Sequence, residues 1–322
     1  MKVVASIASG SVWNLPDAQL KGLRGRFPGL VFVNAPARGD RLRELPDADV
    51  LFLSRLTPDE FASARKVRWI QSPAAGVGSL LFPELRASPV VLTNARGIHG
   101  EPIAEHVIGL TIVLFRQLHV AIRRQLARDW GSDDLASFRR LAGSRMGIIG
   151  LGAIGCAVAA RAAAMGMEVV AVRRTPQAAP PGVARVYTLP DLETVLEACD
   201  VVVVATPLTG ETRGMIGGAQ VRRMKRTAIL INIARGKLLK EAEVADELAK
   251  GTIAGAALDV FEHEPLDPAS PLWDLPNVVI TPHTSAFRPD YWDAAVGLFA
   301  DNLDRFLRGA PLVNLVDKAA GY

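Results

Sequence analysis

Only two cysteines, Cys156 and Cys199, occur in 322 residues. Two thiols cannot form a disulfide framework, and their spacing suits no metal, so neither a disulfide-stapled secreted domain nor a metal site is expected. Both lie in apolar surroundings and are read as buried, reduced thiols of a cytoplasmic protein. Aromatic residues are scarce, at 6%, and no apolar run approaches the ~20 residues needed to span a bilayer, which argues against a membrane partner. The N-terminus opens on a strand-like stretch, Lys2 to Ser6, without the apolar core or cleavage site of a signal peptide. A large charge excess is missing too. The net charge is +4 and the basic residues are spread out, which suits small anionic ligands and argues against nucleic acid. The densest basic run, Arg222-Arg223-Met224-Lys225-Arg226, is read as a solvated helix end.

A chain of this length is expected to fold as two domains. Short apolar runs, Val3-Val4-Ala5, Leu30-Val31-Phe32-Val33, Val50-Leu51-Phe52-Leu53 and Val90-Val91-Leu92, read as buried strands. Helical patterns such as Leu15 to Phe27 and Pro58 to Ala64 separate some of them, and this alternation predicts a parallel sheet with helices on both faces. Glu101 to Arg128 reads as one uninterrupted helical pattern, apolar on nearly every side from Ile103 to Phe115. Trp130 to Ser144 is loop-like and basic. A second series follows at Gly147 to Ile149, Glu168 to Val172, Val201 to Val204, Ala228 to Ile231, Ile253 to Ala257 and Val278 to Ile280. After His283 there remains one amphipathic helix, with Val296, Phe299, Leu303, Phe306 and Leu307 on one face. Its simplest docking place is the first domain, which would then be discontinuous.

Gly150-Leu151-Gly152-Ala153-Ile154-Gly155 is a complete G-x-G-x-x-G between a strand and a helix. In that context Gly150 allows the tight turn, Gly152 allows a pyrophosphate to approach the backbone, and Gly155 allows close helix–strand packing. The helix N-terminus, at Ala153 and Ile154, offers free N–H groups to phosphate. A ribose-binding carboxylate is expected at the end of the next strand, but Val172 is followed by Arg173-Arg174-Thr175. Arginines cannot accept a hydrogen bond from a ribose hydroxyl; they can pair with a 2′-phosphate, and Thr175 adds a hydroxyl. NADP(H) is therefore the expected cofactor, with NAD(H) the alternative.

Three polar residues end apolar runs in the second half: Arg235 after Ile229 to Ala234, Glu264 within Asp259-Val260-Phe261-Glu262-His263-Glu264-Pro265, and His283 in Ile280-Thr281-Pro282-His283. Ligands of open α/β sheets bind at the carboxyl ends of strands, where these three would converge. An alkoxide forming on carbon 2 of an acid needs a proton and a nearby cation, and an α-carboxylate needs an anchor.

With the glycine motif, Asn232-Ile233-Ala234-Arg235-Gly236, Asp259-Val260-Phe261 with Glu264-Pro265, and Thr281-Pro282-His283 stand in one order along the chain. In that order and approximate spacing the sequence resembles the D-2-hydroxyacid dehydrogenase family over nearly its whole length. Asn94-Ala95-Arg96-Gly97-Ile98-His99-Gly100-Glu101 and the two arginines after the second strand point to the glyoxylate/hydroxypyruvate reductase-like branch. The resemblance implies an α/β fold of two doubly wound parallel-sheet domains. A Rossmann nucleotide-binding domain, residues 99–286, would be inserted in a flavodoxin-like substrate domain, residues 1–98 and 287–322.

It also implies that His283 is the acid/base, that Glu264 orients its imidazole, and that Arg235 holds the substrate carboxylate. Asp259 would support the nicotinamide carboxamide, Thr206 and Pro207 would border the adenosine half, and Ile233 and Ala234 would line the cofactor. Ala75, Gly76 and Val77, in Ser72 to Gly78, resemble the family's substrate loop, whose N–H groups receive the carboxylate. Gly78 and Lys240 depart from the family pattern, which often has an acidic residue at each. A homodimer is expected, with the segment around Trp130 to Phe138 as an exchanged arm. Two other functions stay open. One is oxidation of another small anion of the formate or phosphite type. The other is a non-catalytic dinucleotide sensor that binds a protein partner.

Overall fold

The computed structural model describes residues 1–7, 15–131 and 138–321. The segment expected to form an exchanged arm has its centre, residues 132–137, outside the described residues. The chain divides into two compact units, Met1–His99 with Arg288–Tyr322, and Gly100–Phe287, each junction one residue later than the sequence reading sets it. Each is built on a parallel sheet, and parallel sheets covered on both faces require strands that are apolar at every position.

In the first unit the strands are β1 (Lys2–Ser6), β2 (Val31–Asn34), β3 (Val50–Leu53), β4 (Trp69–Gln71) and β5 (Val91–Thr93), in the order β2-β1-β3-β4-β5. All neighbours pair in parallel. Alternate side chains serve opposite faces. Val4, Leu51, Leu53 and Ile70 enter one core, and Val3, Ala5, Phe52 and Trp69 enter the other. The second of these cores is closed by the helix Tyr291–Leu307, whose Phe299 stacks on Phe52 at 4.5 Å and on Trp69 at 5.4 Å. The last helix thus docks where its apolar face finds a partner, which makes this unit discontinuous. A buried polar chain pins it: Trp69 Nε1 donates to Thr93 Oγ1, Thr93 donates to Gln71 Oε1, and Asn302 Nδ2 donates to the same oxygen.

The second unit contains β6 (Arg145–Ile149), β7 (Glu168–Arg173), β8 (Arg185–Thr188), β9 (Val201–Val204), β10 (Ile229–Asn232), β11 (Gly255–Leu258) and β12 (Val278–Ile280). Their order is β12-β11-β10-β9-β6-β7-β8, again all parallel. The chain runs outward from β6 to β8 and then returns to β9. The boundary between β6 and β9 is therefore the topological switch point, where open sheets bind ligands.

The structure corrects four readings. Strands β4 and β8 carry no long apolar run and were not expected; β8 is a half-exposed edge strand. The helical pattern from 101 to 128 is two helices, Gly100–Phe115 and Leu118–Ala127, bent by 65° at Gln117, whose φ is 54°. No single helix among the described residues is long and apolar enough to cross a membrane. Within Gly100–Phe115 the buried face, Ile103, Val107, Leu110 and Leu114, belongs to the second unit's own core. Cys199 is buried, and burial pushes its thiol up to about 12, whereas Cys156 is exposed rather than buried.

Candidate active site

At the carboxyl end of β6 the chain turns through Gly150, whose φ is +104°. A Cβ there would lie 2.6 Å from the Ala205 carbonyl oxygen and 2.7 Å from Thr206 Cα, and one on Gly155 would lie 2.1 Å from the Gly150 carbonyl oxygen. Only glycine lets this loop nest against the end of β9, and that packing brings Thr206 and Pro207 beside the glycine motif. A Cβ on Gly152, by contrast, would meet nothing within 4 Å. The helix Ala153–Ala164 starts at Gly152 without a side-chain cap, so its first N–H groups, at Ala153 and Ile154, are left for an external acceptor. The open space and the uncapped N–H groups fit a pyrophosphate. Arg173 ends β7, half-buried and paired with Gln177, and Arg174 and Thr175 follow it, exposed.

Two strands away, Asn232 closes β10 and is fully buried. Its side chain accepts from Ala234 N and donates to the Arg235 carbonyl, which fixes the path of Ile233, Ala234 and Arg235 past the strand end. Sequence reading gave Asn232 no role of its own. The Arg235 side chain reaches solvent on one side and is surrounded by protein on the others. Burial lowers the pKa of its guanidinium and the Glu264 carboxylate opposes that shift, so it stays cationic at neutral pH. Gly236 then packs directly on the loop after β11: a Cβ would fall 1.8 Å from the Phe261 carbonyl carbon. That contact sets Arg235 beside the Glu264 segment. Glu241 and Glu262 add a reciprocal link, each carboxylate accepting from the other's backbone N–H, at 3.1 and 2.9 Å.

The imidazole of His283 meets Glu264 across 2.7 Å, Nδ1 to Oε2, while Glu264 Oε1 accepts from Phe261 N at 3.1 Å. Both side chains remain accessible to solvent. An acceptor at Nδ1 places the ring proton there and leaves Nε2 for a ligand. His263 is exposed and makes no such pair among the described residues.

His283 is in the left-handed region, with φ at 55°, which costs a non-glycine residue about 1 kcal/mol. Asp259 holds it there. The Asp259 carbonyl accepts from His283 N, its Oδ1 from Thr284 N and its Oδ2 from Ser285 N, at 2.9, 2.9 and 3.1 Å. Three successive N–H groups thus converge on one residue, as in an anion-binding nest. Thr281 Oγ1 also donates to Oδ1, at 2.6 Å, and the Asp259 side chain is wholly enclosed. Both its carboxylate oxygens therefore serve the turn that carries His283.

The second unit thus gathers Arg235, Glu264, His283 and Asp259, and gathers Gly150 to Gly155 with Thr206 and Pro207. The substrate-loop residues belong to the first unit. There Ser72 N donates to the Thr93 carbonyl, Ala74 N to Ser72 Oγ, and Asn94 Nδ2 to the Ala75 carbonyl. Among the described residues, the N–H groups of Ala75, Gly76 and Val77 have no acceptor. A separate cavity of about 570 Å³, lined by Arg116, Arg139, Arg140 and Asp200, lies at the amino ends of β6 and β9, the opposite edge from the glycine loop.

Residues 108–285 match the D-isomer specific 2-hydroxyacid dehydrogenase, NAD binding domain. The chain belongs to the D-isomer specific 2-hydroxyacid dehydrogenase family and is an NAD(P)-dependent oxidoreductase acting on CH–OH donors. Within the family it falls on the glyoxylate/hydroxypyruvate reductase-like branch. It is 33% identical to glycerate dehydrogenase of Methylorubrum extorquens over 94% of this chain and 88% of that one. It is 34% identical to glyoxylate reductase of Korarchaeum cryptofilum over 88% and 87%. Among solved structures, the NADPH-dependent glyoxylate/hydroxypyruvate reductase of Sinorhizobium meliloti, in complex with NADP and sulfate, superposes with a TM-score of 0.86 at 28% identity. That match covers 100% of this chain and 99% of the other.

Substituting Gly236→Ala is expected to disrupt the Phe261 contact and lower the melting temperature by several degrees. Thermal unfolding followed by circular dichroism checks this, and an unchanged midpoint would contradict the close packing assigned to Gly236.

Proposed function

We propose that the protein reduces a small 2-oxo acid of the glyoxylate/hydroxypyruvate type to the D-2-hydroxy acid, with NADPH preferred over NADH. The observation that carries this reading is the His283–Glu264 pair, 2.7 Å apart, with the Arg235 guanidinium beside the same carboxylate. Gly150 to Gly155 would hold the pyrophosphate of the cofactor, and Thr206, Pro207, Ile233 and Ala234 would flank it. Arg173, Arg174 and Thr175 would receive the 2′-phosphate. When bound, the cofactor supplies the hydride that goes to carbon 2.

The planar fork of Arg235 holds the substrate carboxylate and draws electron density toward the carbonyl oxygen. His283 gives the proton on Nε2 to that oxygen as negative charge develops, and the C=O bond becomes C–OH. Glu264, held by Phe261 N, keeps the ring oriented through Nδ1 and stabilises the imidazolium that precedes transfer. In the reverse direction His283 takes the hydroxyl proton back. Ala75, Gly76 and Val77 offer backbone donors for a carboxylate. The two unbridged thiols suit a reducing, cytoplasmic compartment.

Glyoxylate and hydroxypyruvate, each assayed with NADPH and with NADH, test the reading directly. Turnover with a clear NADPH preference is expected. Turnover on formate or phosphite alone, or dinucleotide binding with no turnover, would replace it with one of the other functions. Within the site, His283→Gln should lower kcat about 100-fold or more and leave NADPH affinity near wild type. Arg235→Lys should raise KM and lower kcat together, because a point charge does not reproduce the fork.

A homodimer is the further part of this proposal. Leu118, Ile122 and Leu126 are exposed at intervals of four on the helix Leu118–Ala127, and Trp130, fully exposed, continues the series. Such a stripe suits a self-complementary contact. Light scattering is expected to give twice the chain mass, and Ile122→Glu with Leu126→Glu to give monomers; a monomeric wild type would contradict the dimer.

A further inference from the structure

His106 lies on the helix Gly100–Phe115, 175 residues before Thr281, and its Nε2 sits 3.1 Å from Thr281 Oγ1. We propose that His106 and Thr281 are positioning residues for His283, acting through Asp259 as a one-directional chain of hydrogen bonds; this rests on the reading of His283 as the proton donor. The direction follows from counting protons. Thr281 has one hydroxyl proton, and it goes to Asp259 Oδ1 across 2.6 Å. An ionised carboxylate only accepts. The contact between Thr281 Oγ1 and His106 must therefore use a lone pair of the hydroxyl, so His106 is the donor and carries its proton on Nε2.

The environment keeps this imidazole neutral. Burial holds His106 below the ordinary range, against the opposing pull of Asp259, whose Oδ1 is 3.8 Å away. A neutral ring with Nε2–H is the one form that donates to Thr281 without placing a second full charge beside the Asp259 nest. The outcome is a carboxylate surrounded by donors: Thr281 Oγ1 and Thr284 N on Oδ1, and Ser285 N on Oδ2. With this set complete, the carboxylate has one stable orientation, and the turn that carries His283 in its left-handed conformation is tied to it. A long helix packed on the glycine-loop helix thus helps decide where the imidazole of His283 points. Among the described residues no hydrogen bond joins the side chain of His106 or Thr281 to the His283 ring or to Glu264, so the role is one of position.

Two pairs of variants in the full-length enzyme test this. Thr281→Val removes both hydrogen bonds at nearly constant shape, and Thr281→Ser restores them. His106→Leu removes the donor, and His106→Gln returns one near the Nε2 position. With glyoxylate and NADPH, Thr281→Val and His106→Leu should lose about tenfold or more in kcat, with NADPH affinity and KM within about twofold of wild type. The serine and glutamine variants should recover most of that loss. In parallel, ¹⁵N NMR of the imidazoles should show the Nε2–H tautomer at His106 and a His283 titration midpoint that moves in Thr281→Val but not in Thr281→Ser. Facing the His283 imidazole is the Glu264 carboxylate, and Arg235 lies beside that carboxylate.

Folded valine and leucine variants with wild-type kcat and an unmoved His283 midpoint would overturn the proposal, as would an Nδ1–H tautomer at His106. A wild-type enzyme without turnover on any 2-oxo acid would sink the acid/base reading alone. The movement of the His283 midpoint would then still decide for or against the positioning chain.

Discussion

The buried carboxylate of Asp259 is the constraint on which the candidate active site depends. An enclosed charge is tolerated only when its oxygens are satisfied, and here the donors come almost wholly from the turn between Thr281 and Ser285. Thr284 N and Ser285 N reach this carboxylate and His283 N reaches the Asp259 backbone carbonyl, so three successive N–H groups converge on one residue. That geometry in turn requires a left-handed residue in the middle of the turn, and the residue there is His283. Its imidazole therefore leaves the backbone in a direction set from below, and Glu264 meets it from the neighbouring strand's loop.

The same logic of close approach places the other parts. Gly236 lets the end of β10 lie directly on Phe261, which brings Arg235 to the segment that carries Glu264. Gly150 and Gly155 do the equivalent work between β6, its helix and the end of β9. Each of these contacts lies at the carboxyl edge of one parallel sheet. Chain segments far apart in sequence are thus assembled by strand order β11-β10-β9-β6 and not by local pattern.

Much of this was legible in the sequence because its cause is local. Val50 to Leu53 and Val201 to Val204 are apolar at every position, which only a strand covered on both faces explains. The glycine motif carries its strand and helix with it. The family resemblance rested on ordered motifs rather than composition, and so covered nearly the whole chain. What could not be read had no local cause. Trp69 to Gln71 and Arg185 to Thr188 are strands because a neighbouring strand offers hydrogen bonds, not because their residues demand it. The apolar pattern runs through Gln117 unbroken while the backbone turns there. Cys156 has apolar neighbours in sequence but faces outward on its helix. The partnership of His106, Thr281 and Asp259 spans more than half the chain and leaves no periodic trace.

In the proposed function a guanidinium, a carboxylate and an imidazole act together on one carbonyl. A crystal structure of the enzyme with NADPH and oxalate, an unreactive analogue of a 2-oxo acid, tests it most directly. One oxalate carboxylate is expected on the fork of Arg235 and an oxygen of the other within hydrogen-bond reach of His283 Nε2, with Glu264 still on Nδ1. An oxalate seated away from these three side chains, or His283 turned from Glu264 in the complex, would contradict it.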